Sequence, residues 1–444
     1  MSRTTGKLCD FVQNLKFEDI PKTSIERMKL AILDTIGCIL LGTKTEAARI
    51  VMDYVRKSDK EKESRILGTE IKVSNANAAL VNGTMGHEFD YDDGISTALG
   101  VHAGITIIPA TLAIAESQKR SGKELLTSTV AGYELACRVG RAIERTQHAS
   151  TLIGAFGATA ASAKLMGADH NQITNALGIC GSLSSLRPFD PALKGSMVKD
   201  MWAGWANFFG VFCASLAMKG FTAPDDVLDE SKGFFKAAVS SGPIDAKALT
   251  EELGSRFLWM DGHYFKPYSS CRGTHVTLDA VLSLVQKHKI NHEKIAEILV
   301  TGRSIVCALK GALNPISARF STSYVVAAAI VCGQLTLDEF AMDKLKDPRI
   351  TRLACKVKTL VDPDIPDYPH AHGPVDVLIR FNDGSTLVSR ATADRSLNED
   401  GVLTKFRENA GRVLGRDKVN TLMQTMKHLD EIQNVQMLMD TLSP

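Results

Sequence analysis

The sequence of 444 residues has almost no net charge and no long uninterrupted apolar run. Lysine and arginine total 52 against 50 aspartates and glutamates, which gives a formal charge of +2. Without a basic block that could follow a phosphate backbone, nucleic acid is not an expected partner. The most apolar stretches, 28–42 and 325–333, are interrupted by Lys29 and Asp34 or are shorter than the roughly 20 residues that cross a bilayer. We therefore expect no membrane-spanning segment.

Paired cysteines and nucleotide-binding loops are also missing, and we expect no secretory leader. The nine cysteines are odd in number and scattered, and none lies in a CxxC pair, a pattern typical of reduced thiols. Neither GxGxxG nor GxxxxGK[ST] occurs, so the usual sequence support for a nucleotide cofactor is absent. Residues 1–15 carry charges and lack the apolar segment of a secretory signal. We predict a cytoplasmic protein.

The first half of the chain has the periodicity of successive helices. Hydrophobic residues make up 44% and charged residues 23%, as in a globular protein. Leu126, Val130, Tyr133 and Cys137 follow the i, i+4, i+7, i+11 spacing of one buried helix face. Residues 154–164 are so rich in small side chains that neighbouring helices could approach closely, which indicates a buried central helix. The sequence therefore predicts a mainly α protein.

The pattern changes after about Trp259. Residues 296–301 and 375–381 are β-rich, and an Asp-Gly turn at 383–384 followed by 386–389 predicts a hairpin. Residues 320–333 and 335–345 have helical composition, and helical spacing returns from 398 to 442. We predict a helical domain at 1–262, a smaller α+β domain at 263–397, and C-terminal helices at 398–444 that pack back on the first domain.

The densest polar cluster lies between 87 and 102, where sixteen positions hold four acidic residues and two histidines. His87 and Asp90, at i and i+3 near the end of one helix, would face His102 at the start of the next and form an acid/base group. The alternative is a solvated turn between two helices. The chain lacks a metal-ligand motif such as HExxH. We therefore predict no metal site.

Three further clusters carry cations. His148 precedes the small-residue helix, whose N-terminus could help to hold an anion, although such a histidine is more often a cap or a packed residue. Lys199 lies in an otherwise apolar helix, where the alternative is a lysine that reaches solvent. The segment 266–275 contains Lys266, Cys271 and Arg272 at the transition to the α+β part. Cys271 as a nucleophile lacks an accompanying Cys/His/Asn signature.

These residue types suit a small polycarboxylate substrate. Cations would hold its carboxylates and stabilise the charge that develops when a proton leaves the adjacent carbon, while a histidine or an aspartate moves the proton. The candidate cations are His102, His148, Lys199, Lys266 and Arg272, and the candidate carboxylates are Asp90 and Asp93.

At these clusters the sequence resembles the MmgE/PrpD family over essentially the whole chain. The family includes 2-methylcitrate dehydratase, cis-aconitate decarboxylase and iminodisuccinate epimerase. The motifs that carry the resemblance are residues 82–93 with 102–104, His148 before 154–158, 197–204 with 220–224, 266–275, and 314–324.

The resemblance implies a helical domain built from both chain ends, a smaller α+β lid domain, and a homodimer that works without a metal or organic cofactor. By position it marks Asp90, His102, His148, Lys199, Lys266 and Tyr324 as active-site residues, and Cys271 falls at a position where some relatives have histidine. We predict as catalytic the residues Asp90, His102, His148, Lys199 and Tyr324, and as substrate-binding the residues Lys266, Cys271, Arg272 and Asp93. Tyr324 is added by the resemblance alone, as a hydroxyl that donates to the substrate or protonates the leaving group.

The chain also departs from the family pattern. Gly94 stands where many relatives have threonine. Trp202, three residues after Lys199, stands where many relatives have histidine. We expect a lyase that acts next to a carboxylate, with dehydration of the 2-methylcitrate type first. Decarboxylation and epimerisation are the alternatives within the family, and a non-catalytic carboxylate-binding protein is the alternative of another class.

Overall fold

The structure is a computed structural model that describes residues 4–98, 101–143, 150–184, 189–229, 233–238, 244–302, 312, 314–365, 373–393 and 395–443. His148 lies outside the described residues. Helices dominate the described chain and its strands form small sheets, so the prediction of a mainly α fold is confirmed.

The first part of the chain is helical apart from two short ribbons. Its helices are α1 (Thr4–Asn14), α2 (Lys22–Gly42), α3 (Glu46–Ser58), α4 (Asn75–His87), α5 (Ala103–Ser117), α6 (Gly122–Ala142), α7 (Ser150–Leu165), α8 (His170–Leu183), α9 (Asp190–Leu193), α10 (Met201–Met218), α11 (Gly233–Ala238) and α12 (Ala246–Thr250). The antiparallel ribbons pair β1 (Ser64–Arg65) with β2 (Lys72–Val73), and β3 (Gly94–Ile95) with β4 (His263–Tyr264).

Small residues let the central helices touch through their backbones. A Cβ added at Gly157 in α7 would lie 2.7 Å from the Gly132 carbonyl oxygen in α6. A Cβ added at Gly83 in α4 would lie 2.8 Å from the Gly204 Cα in α10. Contacts this short exclude any side chain. The predicted close packing around α7 is confirmed, and the same device brings the end of α4 beside the start of α10.

The second part is an α+β unit with its own apolar core. Its helices are α13 (His275–Lys287), α14 (Pro315–Ala318), α15 (Thr322–Cys332), α16 (Met342–Leu345) and α17 (Pro348–Ala354). Its strands are β5 (Ile295–Gly302), β6 (Val357–Val361), β7 (Val375–Phe381) and β8 (Thr386–Ala391), in the order β6-β5-β7-β8. Only β5 and β6 run parallel among these described strands. The predicted hairpin is confirmed as β7–β8.

The predicted helix over 335–345 is wrong. The structure has a 3-10 turn at Asp338–Phe340 and then the short α16. The Glu339 carboxylate accepts hydrogen bonds from both the backbone N–H and the hydroxyl of Thr336. This local side-chain capping competes with a continuous helical ladder and divides the segment.

The C-terminal helices α18 (Glu399–Ala410), α19 (Arg416–Lys427) and α20 (Gln436–Thr441) share the apolar core of the first part. Buried Lys405 in α18 lies 2.8 Å from an Asp34 carboxylate oxygen in α2 and donates to the Tyr91 carbonyl. Both chain ends thus contribute to one core, although the exact boundaries at 262/263 and 397/398 stay predictions.

One helical stretch, Met197–Met218, is long and apolar enough to cross a membrane by length and composition alone. It is the apolar helix that the sequence predicts around Lys199, although Lys199 itself lies in the 3-10 turn Met197–Lys199 just before α10. Within the fold, 61% of its most apolar window is buried, as is usual for a core helix. The expectation of a cytoplasmic protein without a membrane span stays a prediction.

We expect Gly83→Ala to destabilise the protein, because its new methyl group would push α4 away from α10. Overpacking of this kind costs about 1–3 kcal/mol. The measurement is the free energy of unfolding in urea. Gly415→Ala is the matched control, since a Cβ there meets nothing within 4 Å. Equal stability of the two variants would contradict the close backbone contact.

Candidate active site

The loop that follows α4 carries three aspartates into the interior. Asp90, Asp92 and Asp93 are each 3% exposed or less. Asp90 has a φ of 49°, in the left-handed region that a non-glycine residue rarely adopts. Buried carboxylates require paired cations or hydrogen-bond donors, and each of the three has a different set.

Asp90 lies between two buried lysines. Lys266 Nζ is 3.0 Å from Asp90 Oδ2 and donates to the Asp90 carbonyl, and Lys199 Nζ is 3.2 Å from Oδ1. Burial acts to raise the pKa of Asp90, but the ammonium groups of Lys266 and Lys199 outweigh it and hold that pKa well below its usual range. Asp90 is thus a fixed anion rather than the proton carrier that the sequence analysis proposed.

Asp92 joins two histidines. Its Oδ1 is 3.1 Å from His87 Nδ1 and its Oδ2 is 2.6 Å from His102 Nδ1. Burial acts to raise the pKa of Asp92, but the two imidazoles outweigh it and hold that pKa well below the ordinary value. An ionised carboxylate only accepts hydrogen bonds, so each histidine donates its Nδ1–H and keeps a lone pair on Nε2.

The two imidazoles differ in access. The His87 side chain is 4% exposed and that of His102 is 13% exposed. Burial, and then the charge of Lys199, lower the pKa of His87 to about 4, so His87 is neutral at pH 7. His102 is therefore the imidazole of this pair that can exchange a proton with a bound substrate.

Asp93, predicted to bind substrate, instead holds the start of α5. Its Oδ1 accepts from the Gly104 backbone N–H at 2.8 Å, and its Oδ2 accepts from Tyr133 Oη at 3.0 Å and from His263 Nε2 at 2.6 Å. These donors occupy both oxygens of a fully buried carboxylate. Because α5 begins directly after His102, Asp93 positions that histidine.

The tautomer of His263 follows from its second partner. Arg27 Nε donates to His263 Nδ1 at 2.8 Å, so Nδ1 is an acceptor and the ring proton sits on Nε2, facing Asp93. Burial lowers the pKa of His263 despite Asp93, so the ring stays neutral. The sequence analysis missed both Arg27 and His263, which are 236 residues apart.

The segment after β4 supplies Lys266 to the cluster and continues through Cys271 and Arg272. Arg272 stacks over the Tyr264 ring at 3.8 Å and donates to the Arg395 carbonyl. Cys271 is half-buried, and its backbone N–H donates to the Arg319 carbonyl. A Cβ added at Gly94 would lie 2.5 Å from Tyr264 Oη. The tyrosine therefore explains why glycine stands at position 94.

The structure does not bring Tyr324 to the cluster. Its ring belongs to the core of the α+β unit and its hydroxyl donates to the Glu339 carbonyl. Trp202 packs with Phe320 one turn along the chain from Lys199, and Lys199 Nζ is 5.6 Å from the Phe320 ring centre. Trp202 thus fills an apolar cluster beside the lysine.

Four groups of the cluster have the residue types of a metal site. One ligand atom each of His87, Asp90, Asp92 and His102 lies within 4.8 Å of the others. However, Asp90 already pairs with two ammonium groups, which would repel a divalent cation, and Asp92 accepts from two imidazoles. The donor set fits proton transfer better than metal binding.

Two family models together match most of the chain. The model of the MmgE/PrpD N-terminal domain matches residues 6–247, and the model of the C-terminal domain matches residues 268–431. The chain belongs to the MmgE/PrpD family. The predicted boundary at 262/263 falls in the interval between the two matches.

Relatives of this MmgE/PrpD chain include enzymes of two kinds. Cis-aconitate decarboxylase of Aspergillus terreus is 26% identical over 484 residues, covering 100% of this chain and 96% of the relative. The Homo sapiens protein of that name is 27% identical over 459 residues, covering 98% and 93%. The 2-methylcitrate dehydratase of Salmonella typhimurium is 23% identical over 442 residues, covering 91% and 89%. The prediction of an MmgE/PrpD lyase is confirmed.

We expect removal of metal ions to leave the catalytic activity unchanged, because the ammonium groups beside Asp90 already neutralise the site. The measurement compares turnover before and after dialysis against EDTA, with metal content read by mass spectrometry. Addition of Zn²⁺ or Mn²⁺ should not raise the rate. A stoichiometric metal whose loss abolishes turnover, and whose return restores it, would contradict this expectation.

Proposed function

We propose that this protein transfers a proton at a carbon close to a carboxylate of a small di- or tricarboxylic acid, without a metal or organic cofactor. The observation that carries the proposal is the hydrogen bond between Asp92 and His102 Nδ1 at 2.6 Å. The aspartate fixes the tautomer of the imidazole and stabilises the imidazolium that forms when Nε2 takes a proton.

Substrate carboxylates bind to the donors that remain on the buried lysines. An ammonium group has three N–H donors. Lys266 directs two toward Asp90, and Lys199 directs one toward Asp90 and one toward the His87 carbonyl. Counted over the described residues, each lysine retains one donor for a substrate oxygen. This arrangement supports the predicted carboxylate-holding role of both lysines while also fixing Asp90.

Decarboxylation of a cis-aconitate-like tricarboxylic acid fits the cluster best. The carboxylate on the methylene carbon leaves as CO₂, and its bonding electrons form a double bond to the central carbon. The electrons of the former double bond move to the outer alkene carbon, which takes the Nε2 proton of the His102 imidazolium. Nε2 regains that proton from water, and Asp92 stabilises the imidazolium that forms. Dehydration needs a second proton donor, for the leaving hydroxyl. Among the described residues of the cluster, His102 is the one partly exposed imidazole, and the Tyr324 proton is directed elsewhere.

Dehydration of a 2-methylcitrate-like substrate remains the second candidate. The likeness to 2-methylcitrate dehydratases over 91% of this chain supports it. His148, outside the described residues, is the residue that the resemblance offers as the second donor.

We expect His102→Ala to lower kcat by about 10²–10⁴-fold, the usual contribution of a general acid or base. Asp92→Asn should lower kcat as well, because a neutral amide no longer stabilises the imidazolium. The assay is proton NMR in D₂O with cis-aconitate, 2-methylcitrate, citrate and iminodisuccinate, in which product signals and deuterium incorporation are followed.

His170→Ala is the matched control, since His170 is a partly exposed histidine of α8 paired with Asp10. Turnover that is unchanged in both the His102 and Asp92 variants would contradict the assigned roles. Binding of a polycarboxylate with neither product nor deuterium exchange would favour a binding protein.

The protein acts as a homodimer that forms through α10. Trp205, Phe208 and Phe212 lie along one face of this helix, with adjacent rings stacked at 5.5 Å and 6.3 Å. Trp205 is 43% and Phe212 is 39% exposed, which is unusual for large apolar side chains in a row. A second copy that applies the same face by two-fold symmetry would bury both rows of rings.

We expect Trp205→Glu to separate the dimer, because it would bury a carboxylate at the centre of that face. Light scattering should give the unchanged protein about twice the 48.1 kDa chain mass and the variant the chain mass itself. Tyr54→Glu is the control at another exposed aromatic residue, which is 71% exposed. A mass of one chain for the unchanged protein would contradict the dimer.

A further inference from the structure

Two acidic side chains outside the proton-transfer pair meet where α4 ends and α10 begins. Glu88 follows His87, and Asp200 follows Lys199. Asp200 is fully buried, and its carboxyl group lies at hydrogen-bonding range of the Glu88 carboxyl group. Neither residue has a role in the activity described above.

Each of the two carboxyl groups has a buried oxygen that no hydrogen-bond donor within the described part of the chain reaches. Among the described residues, no hydrogen-bond donor reaches either side-chain oxygen of Asp200 or the Oε2 atom of Glu88. Two ionised carboxylates in this position would repel and leave buried acceptors unsatisfied. One proton between them converts the repulsion into a charge-assisted O–H···O⁻ hydrogen bond.

We propose that Glu88 and Asp200 hold one proton between them at neutral pH, and that this shared proton positions the Lys199 ammonium group against Asp90. Lys199 Nζ is 3.2 Å from Asp90 Oδ1 and 3.9 Å from Asp200 Oδ1. The two aspartates therefore compete for one ammonium group. Sharing the proton lowers the charge on the Asp200 side and leaves Lys199 with Asp90.

The surroundings of the pair favour retention of the proton. Burial raises the pKa of Glu88 and raises that of Asp200 well above the ordinary value, although Lys199 and Arg319 act in the opposite direction. In the described part of the chain, these two cations and the Thr45 hydroxyl act on the pair. Burial lowers the pKa of Arg319 to about 10, so it remains charged at pH 7.

The shared proton also balances the charge of the region. The three positive charges are those of Lys199, Lys266 and Arg319. The three negative charges are those of Asp90, of Asp92 and of the Glu88–Asp200 pair, which carries one charge when it shares a proton. Loss of the proton at higher pH would leave one surplus negative charge and draw Lys199 toward Asp200. Both effects weaken binding of a polycarboxylate.

The test uses Glu88→Gln, in which the side-chain amide donates to the Asp200 carboxylate and so replaces the shared proton permanently. Asp200→Asn is the reciprocal variant. Both keep the single negative charge of the protonated pair. Asp53→Asn, at an exposed carboxylate of α3, is the control.

The first readout is the pH dependence of thermal unfolding, which needs no substrate. Above the ordinary carboxyl range, the unfolded chain has released the proton and the folded protein still holds it. Stability therefore falls as the pH rises toward the raised pKa of the pair. We expect stability to fall with rising pH in the unchanged protein and in Asp53→Asn. This pH dependence should be absent in Glu88→Gln and Asp200→Asn. Because no turnover is measured, this readout tests the pair even if the proposed lyase activity is wrong.

The second readout rests on the proposed function and follows KM for cis-aconitate against pH. If binding requires the shared proton, KM of the unchanged protein rises about tenfold per pH unit above the pKa of the pair. KM of Glu88→Gln and Asp200→Asn should stay flat over the same range. Identical pH dependence of unfolding and of KM in all four proteins would overturn the proposal. A uniform loss of kcat without a changed pH profile would show a merely structural role and would also overturn it.

Discussion

Burial of the aspartates after α4 is the constraint on which the rest of the site depends. A carboxylate that leaves water must find cations or N–H donors, and this loop cannot supply them itself. Lys199 comes from the 3-10 turn just before α10, and Lys266 and His263 come from the segment around β4. The pairing of β3 with β4 sets Gly94 opposite Tyr264 and so carries that segment to the loop. Docking of the α+β unit is thus tied to neutralisation of buried charge.

Close helix contact is the second requirement. Because neither Gly83 nor Gly204 has a side chain, α4 and α10 meet through their backbones, and the residues just beyond each helix end become neighbours. His87 then lies within reach of Lys199, whose ammonium group donates to the His87 carbonyl at 2.6 Å. Polar chemistry at the helix ends therefore depends on apolar packing along their lengths. A small shift of either helix would change the distances on which the charge pairing relies.

Much of the fold could be predicted from the sequence, because periodicity is a local property. The buried face of α6 and the β7–β8 hairpin follow from spacing and turn residues alone. The separate roles of Asp90, Asp92 and Asp93 could not be predicted from the sequence. The positive φ of Asp90 breaks the simple alternation of the loop, so Asp92 faces the histidines and Asp93 faces α5. The partners Arg27 and His263 are distant in sequence and belong to no motif. The resemblance marked Tyr324, but its hydroxyl bonds to a carbonyl that no pattern could indicate.

The contact between Gly94 and Tyr264 has a consequence for how such chains diverge. A threonine at position 94, which the family resemblance implies for many relatives, would occupy the space of the end of the tyrosine ring, on which Arg272 also stacks. The three positions are therefore coupled, because a side chain at position 94 requires the tyrosine to move away from its present place. Exchange of position 94 alone between family members would disturb this packing. Exchange of the whole β3–β4 ribbon together with the arginine would preserve it.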